Sequence, residues 1–381
     1  MPASRLAAAL LMATAVTTTA HAQERLALQP TAPVAVTRDV PFGRADTLPL
    51  RMDVYRAEPR TSERLPAIIF FNRAYGAQER GWEFYANWAR NAASRGMVAI
   101  LSDLRDGGQQ HDFTALLAHV RARGADYGID TARIAVYAAS GNAYTGLPIL
   151  QAPGVPIQAL IVYYGASPEL TQLRPELPML VVRAGLDRPG LNRDLDALVA
   201  RALAQNVPLS VLNDAGGLHG FEIRNDDDAS RDAMERTIAF AKSATLPGYQ
   251  AAVRAGVPLA AAAGLVAAGE FARAAASYRD LVAARPADPA LRLSYAEALL
   301  GAGEFARACT EIAPLRGRGL GPRDVGLPGA RACAQAGEGD QAVAWLNAIP
   351  PRYLPREVRE EPAFASLRTR ADFAAVFERA R

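Results

Sequence analysis

Lysine is almost missing from this chain: Lys242 is the only one, and arginine supplies the rest of 42 basic residues set against 39 acidic ones. The resulting formal charge of +3 is spread along the sequence. Nucleic-acid binding wants basic residues clustered on one face, so no nucleic-acid partner is expected. Cysteine is equally scarce, with Cys309 and Cys333 both near the C-terminus. Two thiols with no histidine beside them do not make a tetrahedral zinc site, and neither a metal nor a cofactor is expected. In an oxidising compartment the two can pair as a disulfide; otherwise they read as buried thiols. Long apolar runs are absent after the first 22 residues, the later ones being short and interrupted by charge, so no stable membrane span is expected there.

The first 22 residues have their own pattern. Arg5 precedes an apolar stretch from Leu6 to Val16, too short to span a bilayer, and Ala20-His21-Ala22 is a small-x-small cleavage site. Residues 1–22 therefore read as a secretory signal peptide, which predicts a periplasmic or secreted protein, and 23–33 as a flexible leader. The chain beyond them is long enough for two domains.

Residues 34–244 read as the first domain. Val34 to Phe42 and Leu48 to Tyr55 alternate with period two around a turn signal at Gly43 to Asp46, which predicts an antiparallel hairpin. Ala67 to Phe71 is apolar throughout, as a strand buried on both faces should be, and Met97 to Leu101, Ile134 to Ala138, Leu160 to Tyr164, Met179 to Arg183 and Leu209 to Leu212 read as the further strands of the sheet. Helical patterns fall between them, at Glu83 to Arg95, Phe113 to Arg123 and Arg193 to Gln205, and Ala229 to Ser243 comes after the last. Strand–helix alternation of this kind predicts an α/β fold with a mostly parallel, doubly wound sheet.

Functional loops of such a sheet lie at the carboxyl ends of its strands. Four segments come after strands at that end: Asn72 to Gly76, Ser140-Gly141, Asp187, and His219 in Gly216-Gly217-Leu218-His219-Gly220-Phe221. A serine hydroxyl attacks only when a base takes its proton; His219 suits that role near neutral pH, with Asp187 orienting the imidazole. The developing oxyanion needs backbone donors, for which the N–H of Gly141 and that of Arg73 or Ala74 are candidates. Tyr75, beside the loop glycine, is assigned to the substrate site. Trp82, Tyr85 and Trp88 have helical spacing and read as core. Among the remaining histidines, His21 lies in the signal segment, His119 is mid-helix, and His111 precedes a helix with Asp112 as a plausible N-cap. Asp214, Glu222 and Asp103 are the alternatives to Asp187, with Asp103 more readily placed at the sheet end beside Arg105. Asp226-Asp227-Asp228 reads as a solvated run that suits a helix N-terminus.

Serine, acid, then histidine is the chain order of α/β-hydrolases. The stretches Leu50 to Tyr55, Gly128 to Ser140, Tyr163-Tyr164-Gly165 and His219-Gly220-Phe221 resemble the dienelactone-hydrolase and acyl-esterase branch of that fold over Val34 to Ser243. The resemblance implies a cofactor-free hydrolase of carboxylic esters or lactones. Two departures stand out. The usual G-x-S-x-G becomes Ala138-Ala139-Ser140-Gly141-Asn142, and the usual His-Gly-Gly becomes Asn72-Arg73-Ala74, where Asn72 could reproduce a hydrogen bond of that histidine.

The last third repeats itself. Gly269-Glu-Phe-Ala-Arg-Ala274 recurs 34 residues later as Gly303 to Ala308, and 34 later again, degraded, as Gly337 to Ala342. That period resembles tetratricopeptide repeats. Leu265, Ala274, Tyr278 and Pro286, then Leu299, Ala308 and Ile312, then Ala330, Cys333, Ala342 and Leu346 occupy the apolar, small, aromatic and terminating positions. Residues 258–381 thus read as an all-α helical-repeat domain with a capping tail from Glu361, after a linker at 245–257. Such repeats imply a protein partner or a support for the first domain. The leading expectation is an exported serine hydrolase with an interaction domain; the alternative is a non-catalytic hydrolase fold acting as a scaffold.

Overall fold

The computed structural model describes residues 28–72 and 79–379. Eight strands form one sheet: β1 (Val34–Ala45), β2 (Leu48–Ala57), β3 (Leu65–Phe70), β4 (Val98–Ser102), β5 (Ile129–Ala139), β6 (Ala159–Tyr163), β7 (Met179–Ala184) and β8 (Leu209–Asp214), in the order β1-β2-β4-β3-β5-β6-β7-β8. β1 pairs antiparallel with β2, and β2 antiparallel with β4; every later pairing is parallel. The hairpin turn is tighter than its glycine suggested. β1 runs through Gly43 to Ala45, and the reversal is made at Asp46, whose φ of 54° is one that short polar residues tolerate.

Helices cover both faces: α1 (Glu83–Ser94), α2 (Gln109–Arg123), α3 (Gly141–Leu150), α4 (Pro189–Ala204), the short α5 (Phe221–Arg224) and α6 (Asp228–Ala244). Successive strand residues point to opposite faces. Ile69 and Phe71 accordingly join a core with Phe113, Leu116 and Leu147, while Ile68 and Phe70 join the other with Tyr85, Trp88 and Met234. Trp88 and Tyr85 are thus core, as their spacing predicted, but Trp82 precedes the helix and stays about half exposed. At α6 the acidic run works as charge at a helix start should, with Asp227 accepting the Ser230 N–H at 2.8 Å.

α2 starts four residues before the apolar pattern. Gly107 (φ 75°) turns the chain, and Asp112 lies inside the first turn rather than capping it. Its buried carboxylate accepts the Arg105 N–H at 2.9 Å and pairs with the Arg105 guanidinium at 2.8 Å. Arg105 is therefore not the partner of Asp103. Asp103 instead accepts from Arg80 Nε at 3.0 Å, and Arg80 also engages Asp39 and Asp53, so one mostly buried guanidinium ties the middles of β1 and β2 to the residue after β4.

Seven further helices complete the described chain: α7 (Pro247–Ala267), α8 (Phe271–Ala284), α9 (Pro289–Gly301), α10 (Phe305–Ile312), α11 (Pro322–Gln335), α12 (Gly339–Ala348) and α13 (Ala371–Glu378). The segment read as a linker is helical from Pro247, a residue suited to the first helical position. Gln250 fastens this helix to the sheet domain by donating to the Gln158 and Ala244 carbonyls. α7 is also long and apolar enough to cross a membrane by length and composition, which short apolar runs had not suggested, because alanine, valine and leucine raise its hydropathy and Arg254 is its only charge.

The 34-residue period is visible as a repeated turn. Gly269, Gly303 and Gly337 have φ of 74°, 78° and 84° and sit between paired helices. The N–H of the glutamate after each glycine reaches back to Leu265, Leu299 and Cys333 respectively, closing the preceding helix. Ala274, Leu299, Ala308, Ile312, Ala330, Ala342 and Leu346 are fully buried in the core of this helical stack, and Phe364 and Phe373 of the tail close its end. Cys309 of α10 and Cys333 of α11 form a disulfide, with Cα atoms 4.8 Å apart.

Candidate active site

β5 delivers Ser140 to the carboxyl edge at the centre of the sheet, and α3 begins at the next residue. The turn between them is sharp enough to hold Ser140 at φ 53°, ψ −127°, outside the regions an L-residue prefers. The neighbouring strand holds it there. The Ser140 N–H donates to the Tyr163 carbonyl at 2.9 Å. Gly165 passes so close that a Cβ on it would sit 2.4 Å from the Ser140 carbonyl oxygen. The close approach normally provided by a second elbow glycine is thus supplied by Gly165 and the fully buried Ala143. Asn142 faces outward from that contact, and its amide donates to the Tyr85 hydroxyl at 2.7 Å.

Asp187 lies after β7 on a turn closed by hydrogen bonds from Gly185 to the Asp214 carbonyl and from Leu186 to the Gly217 carbonyl. These bonds bring the loops after β7 and β8 together, and with them Asp187 and His219. His219 Nδ1 lies 2.6 Å from Asp187 Oδ2, and His219 Nε2 lies 2.8 Å from Ser140 Oγ. Asp187 Oδ1 accepts the Arg188 N–H at 2.7 Å, so both carboxylate oxygens are engaged. The Asp187 side chain is 1% exposed and that of His219 is 26% exposed: the acid is sheltered while the imidazole edge meets solvent. Gly141, first residue of α3, lies where helix N–H groups lack intrahelical acceptors.

The alternatives lie elsewhere. Asp214 turns back on its own loop and accepts the Gly216 N–H at 3.1 Å. His119 is bonded to the Tyr127 hydroxyl at 3.2 Å, and burial lowers its pKa. His111 is mostly exposed beside Asp112. Asn72 is fully buried at the end of β3, and among the described residues neither of its amide atoms has a hydrogen-bond partner. Arg73, Ala74 and Tyr75 lie outside the described residues. Among the described residues, no group of three or more histidine, cysteine, aspartate or glutamate side chains could hold a metal ion.

Two residues stand behind the histidine: Tyr164, and Glu222, which the sequence offered only as an alternative to Asp187. The Tyr164 ring packs against the imidazole, with centroids 4.6 Å apart. Glu222, three residues after His219, is fully buried and accepts from the hydroxyls of Tyr164 and Tyr137. Burial raises the Glu222 pKa to about 7, against the opposing pull of those hydroxyls. Burial likewise raises Tyr164 well above the usual phenol range, with the Glu222 charge adding to it. The apolar motif around His219 gives no hint that the next glutamate turns inward.

The strand order, with a strained serine at the strand-to-helix turn, defines the α/β-hydrolase fold, here joined to an all-α helical-repeat region. A tetratricopeptide repeat model matches residues 265–319. No curated protein matches the chain in sequence. Solved structures similar to it include the esterase Est22 (16% identity, 55% of this chain and 80% of that one, TM-score 0.44). Others are a fungal esterase from Rhizomucor miehei (14%, 59% and 89%, TM-score 0.47) and a brefeldin A esterase described as a bacterial homologue of human hormone sensitive lipase (15%, 58% and 81%, TM-score 0.47).

Proposed function

We propose that this protein is an exported serine hydrolase of carboxylic esters or lactones, of the dienelactone-hydrolase type, with Ser140 as nucleophile, His219 as general base and Asp187 as its orienting acid. The observation that carries the reading is the unbroken Ser140–His219–Asp187 hydrogen-bond chain at the strained turn after β5. In the first half-reaction His219 Nε2 takes the Ser140 proton as Oγ bonds to the carbonyl carbon. The carbonyl oxygen, now anionic, is received by the Gly141 N–H. Collapse of the tetrahedral adduct breaks the bond to the alkoxy oxygen, which leaves with the proton from His219. Water repeats the sequence on the acyl-enzyme, returning the carboxylic acid and free Ser140. Asp187 keeps the proton on Nδ1, so that Nε2 can take the Ser140 proton and then return it, and its burial keeps water from competing for that bond.

The residues carry this chemistry without a cofactor. The signal-like first 22 residues and the Cys309–Cys333 bond support export to an oxidising compartment, periplasmic or extracellular. The helical repeats support a role in binding a protein partner. A fluorophosphonate probe tests the enzymatic reading directly. Covalent labelling at Ser140, lost on Ser140→Ala, is the expected result. An unlabelled wild type that also leaves short esters intact overturns it in favour of a non-catalytic scaffold.

A further inference from the structure

We propose that Glu222 is a positioning residue for His219 that acts through Tyr164, holding the Tyr164 ring against the imidazole and stabilising the imidazolium formed when Ser140 gives up its proton. The inference rests on the esterase reading and adds Tyr164 and Glu222 behind its triad. Its basis is a short, continuous arrangement. His219 and Glu222 are joined through the Gly220 turn (φ 73°) into α5, with the fully buried Phe221 between them. Glu222 accepts from the Tyr164 hydroxyl, and the Tyr164 ring lies 4.6 Å from the imidazole at an interplanar angle of 56°. The same carboxylate oxygen accepts from Tyr137 at 3.2 Å, so its place is fixed from β5 as well as from the residue after β6.

The groups that meet Glu222 are uncharged donors and apolar surface. Around Glu222 stand Tyr137 from β5, Tyr163 from β6, Tyr164, and Tyr85 and Trp88 from α1, which form one aromatic cluster. α6 turns Ala233, Met234 and Thr237 toward the core, none of them charged. Among the described residues no arginine, lysine or histidine is hydrogen-bonded or ion-paired to Glu222. A buried carboxylate without a cation is costly, and the donors that face Glu222, the Tyr137 and Tyr164 hydroxyls and the Trp88 indole, offset only part of that cost. The cation missing from its surroundings appears during turnover, on His219. A phenol bonded to a carboxylate has a more electron-rich ring, and such a ring face favours a cation placed against it. The ionised form of Glu222 is therefore the active one, and with a pKa of about 7 that form gives way to the neutral acid as pH falls below it.

The test is the pH dependence of kcat/KM on p-nitrophenyl acetate for wild type, Glu222→Gln and Tyr164→Phe. Gln keeps the shape and the acceptor oxygen but fixes the neutral state. The expected ratio of wild type to Glu222→Gln is about tenfold at about pH 9, closing toward one at about pH 5, where wild type carries the neutral acid too. The loss falls on kcat, with KM unchanged. Tyr164→Phe keeps the ring, cuts the link, and shows the same pH-dependent deficit. A ratio that is constant with pH, whatever its size, overturns the inference, since a packing defect has no reason to titrate. Fluorophosphonate labelling of wild type separates the two failures. A labelled wild type with a flat ratio removes the positioning role alone, and an unlabelled one removes the esterase reading and this inference with it.

Discussion

In the proposed hydrolase Ser140 is both the nucleophile and the residue that makes the turn, and the two roles separate by mutation. Alanine keeps the Cβ and accepts the same backbone angles at the same cost, so Ser140→Ala is expected to fold with a melting temperature close to wild type. Its turnover of p-nitrophenyl acetate should fall by about 10⁵-fold or more, as removal of a nucleophile does. Activity near wild type in that variant assigns the chemistry elsewhere. Asp187→Asn should lower kcat by on the order of 10³ to 10⁴-fold while leaving probe labelling of Ser140 detectable, because the acid sets the imidazole tautomer and does not attack. Glu222 makes a third prediction, on stability. Its folded pKa of about 7 lies above the 4.5 of an unperturbed glutamate. Below 4.5 both states hold the proton. Between 4.5 and 7 the unfolded chain releases it while the folded chain keeps it, so this contribution to stability is lost as pH rises through that window. Glu222→Gln removes the loss, and its melting temperature relative to wild type should climb from pH 4.5 to 7; parallel melting curves across that range contradict a buried titrating acid. At this scale the sequence showed Ser140, Asp187 and His219, because each comes after an apolar run that ends at the same edge of the sheet. It offered Glu222 only as an alternative acid for His219; that Glu222 turns inward to meet Tyr137 and Tyr164 is visible only once β5 and the residue after β6 are brought beside it.

At the scale of elements, strand positions were legible because fully buried strands are apolar without interruption, as β4 and β6 are. Helix starts were less so. Apolar periodicity places the start of α2 at Phe113, but Gln109 to Asp112 are already helical, held by the Gly107 turn and the Arg105–Asp112 pair, neither of which leaves a periodic trace. The elbow shows the same limit. The sequence marks Asn142 as a departure from a glycine, whereas the tight contact is made from the neighbouring strand by Gly165, whose need to be glycine depends on an approach between β5 and β6. Gly165→Ala is therefore expected to be more damaging than Asn142→Gly. Its Cβ would meet Ser140 backbone atoms at 2.4 and 2.9 Å, so it should displace the serine and lower both probe labelling and melting temperature. Equal behaviour of the two variants contradicts that account of the turn.

Across the whole molecule, the period of 34 fixed the helical pairing, because each Gly269-, Gly303- and Gly337-type turn recurs with a left-handed glycine. The helicity of α7 was obscured by Pro247, Gly248 and Gly256, which read as linker residues although proline opens a helix well and alanine sustains it. The repeat units touch mainly their neighbours in sequence, α8 with α9, α9 with α10, α10 with α11 and α11 with α12. Stability in such a stack is a sum of local units and interfaces. The Cys309–Cys333 bond crosses the α10–α11 interface and closes a loop of sequence separation 24, rich in glycine between Gly317 and Gly329. Chain entropy alone makes that closure worth about 3 kcal/mol. The triad, by contrast, is held by the sheet, and its hydrogen bonds involve no residue beyond His219. Reduction, or the double substitution of both cysteines by serine, is therefore expected to act on the repeats alone. The melting of the helical stack should fall by several degrees, while ester turnover at 25 °C stays within about twofold of the oxidised protein. Two free thiols in the unfolded, unreduced mature protein would show that the bond does not form. A loss of activity on reduction without loss of helix would show that the stack supports the catalytic loops, and that the two regions are coupled rather than independent.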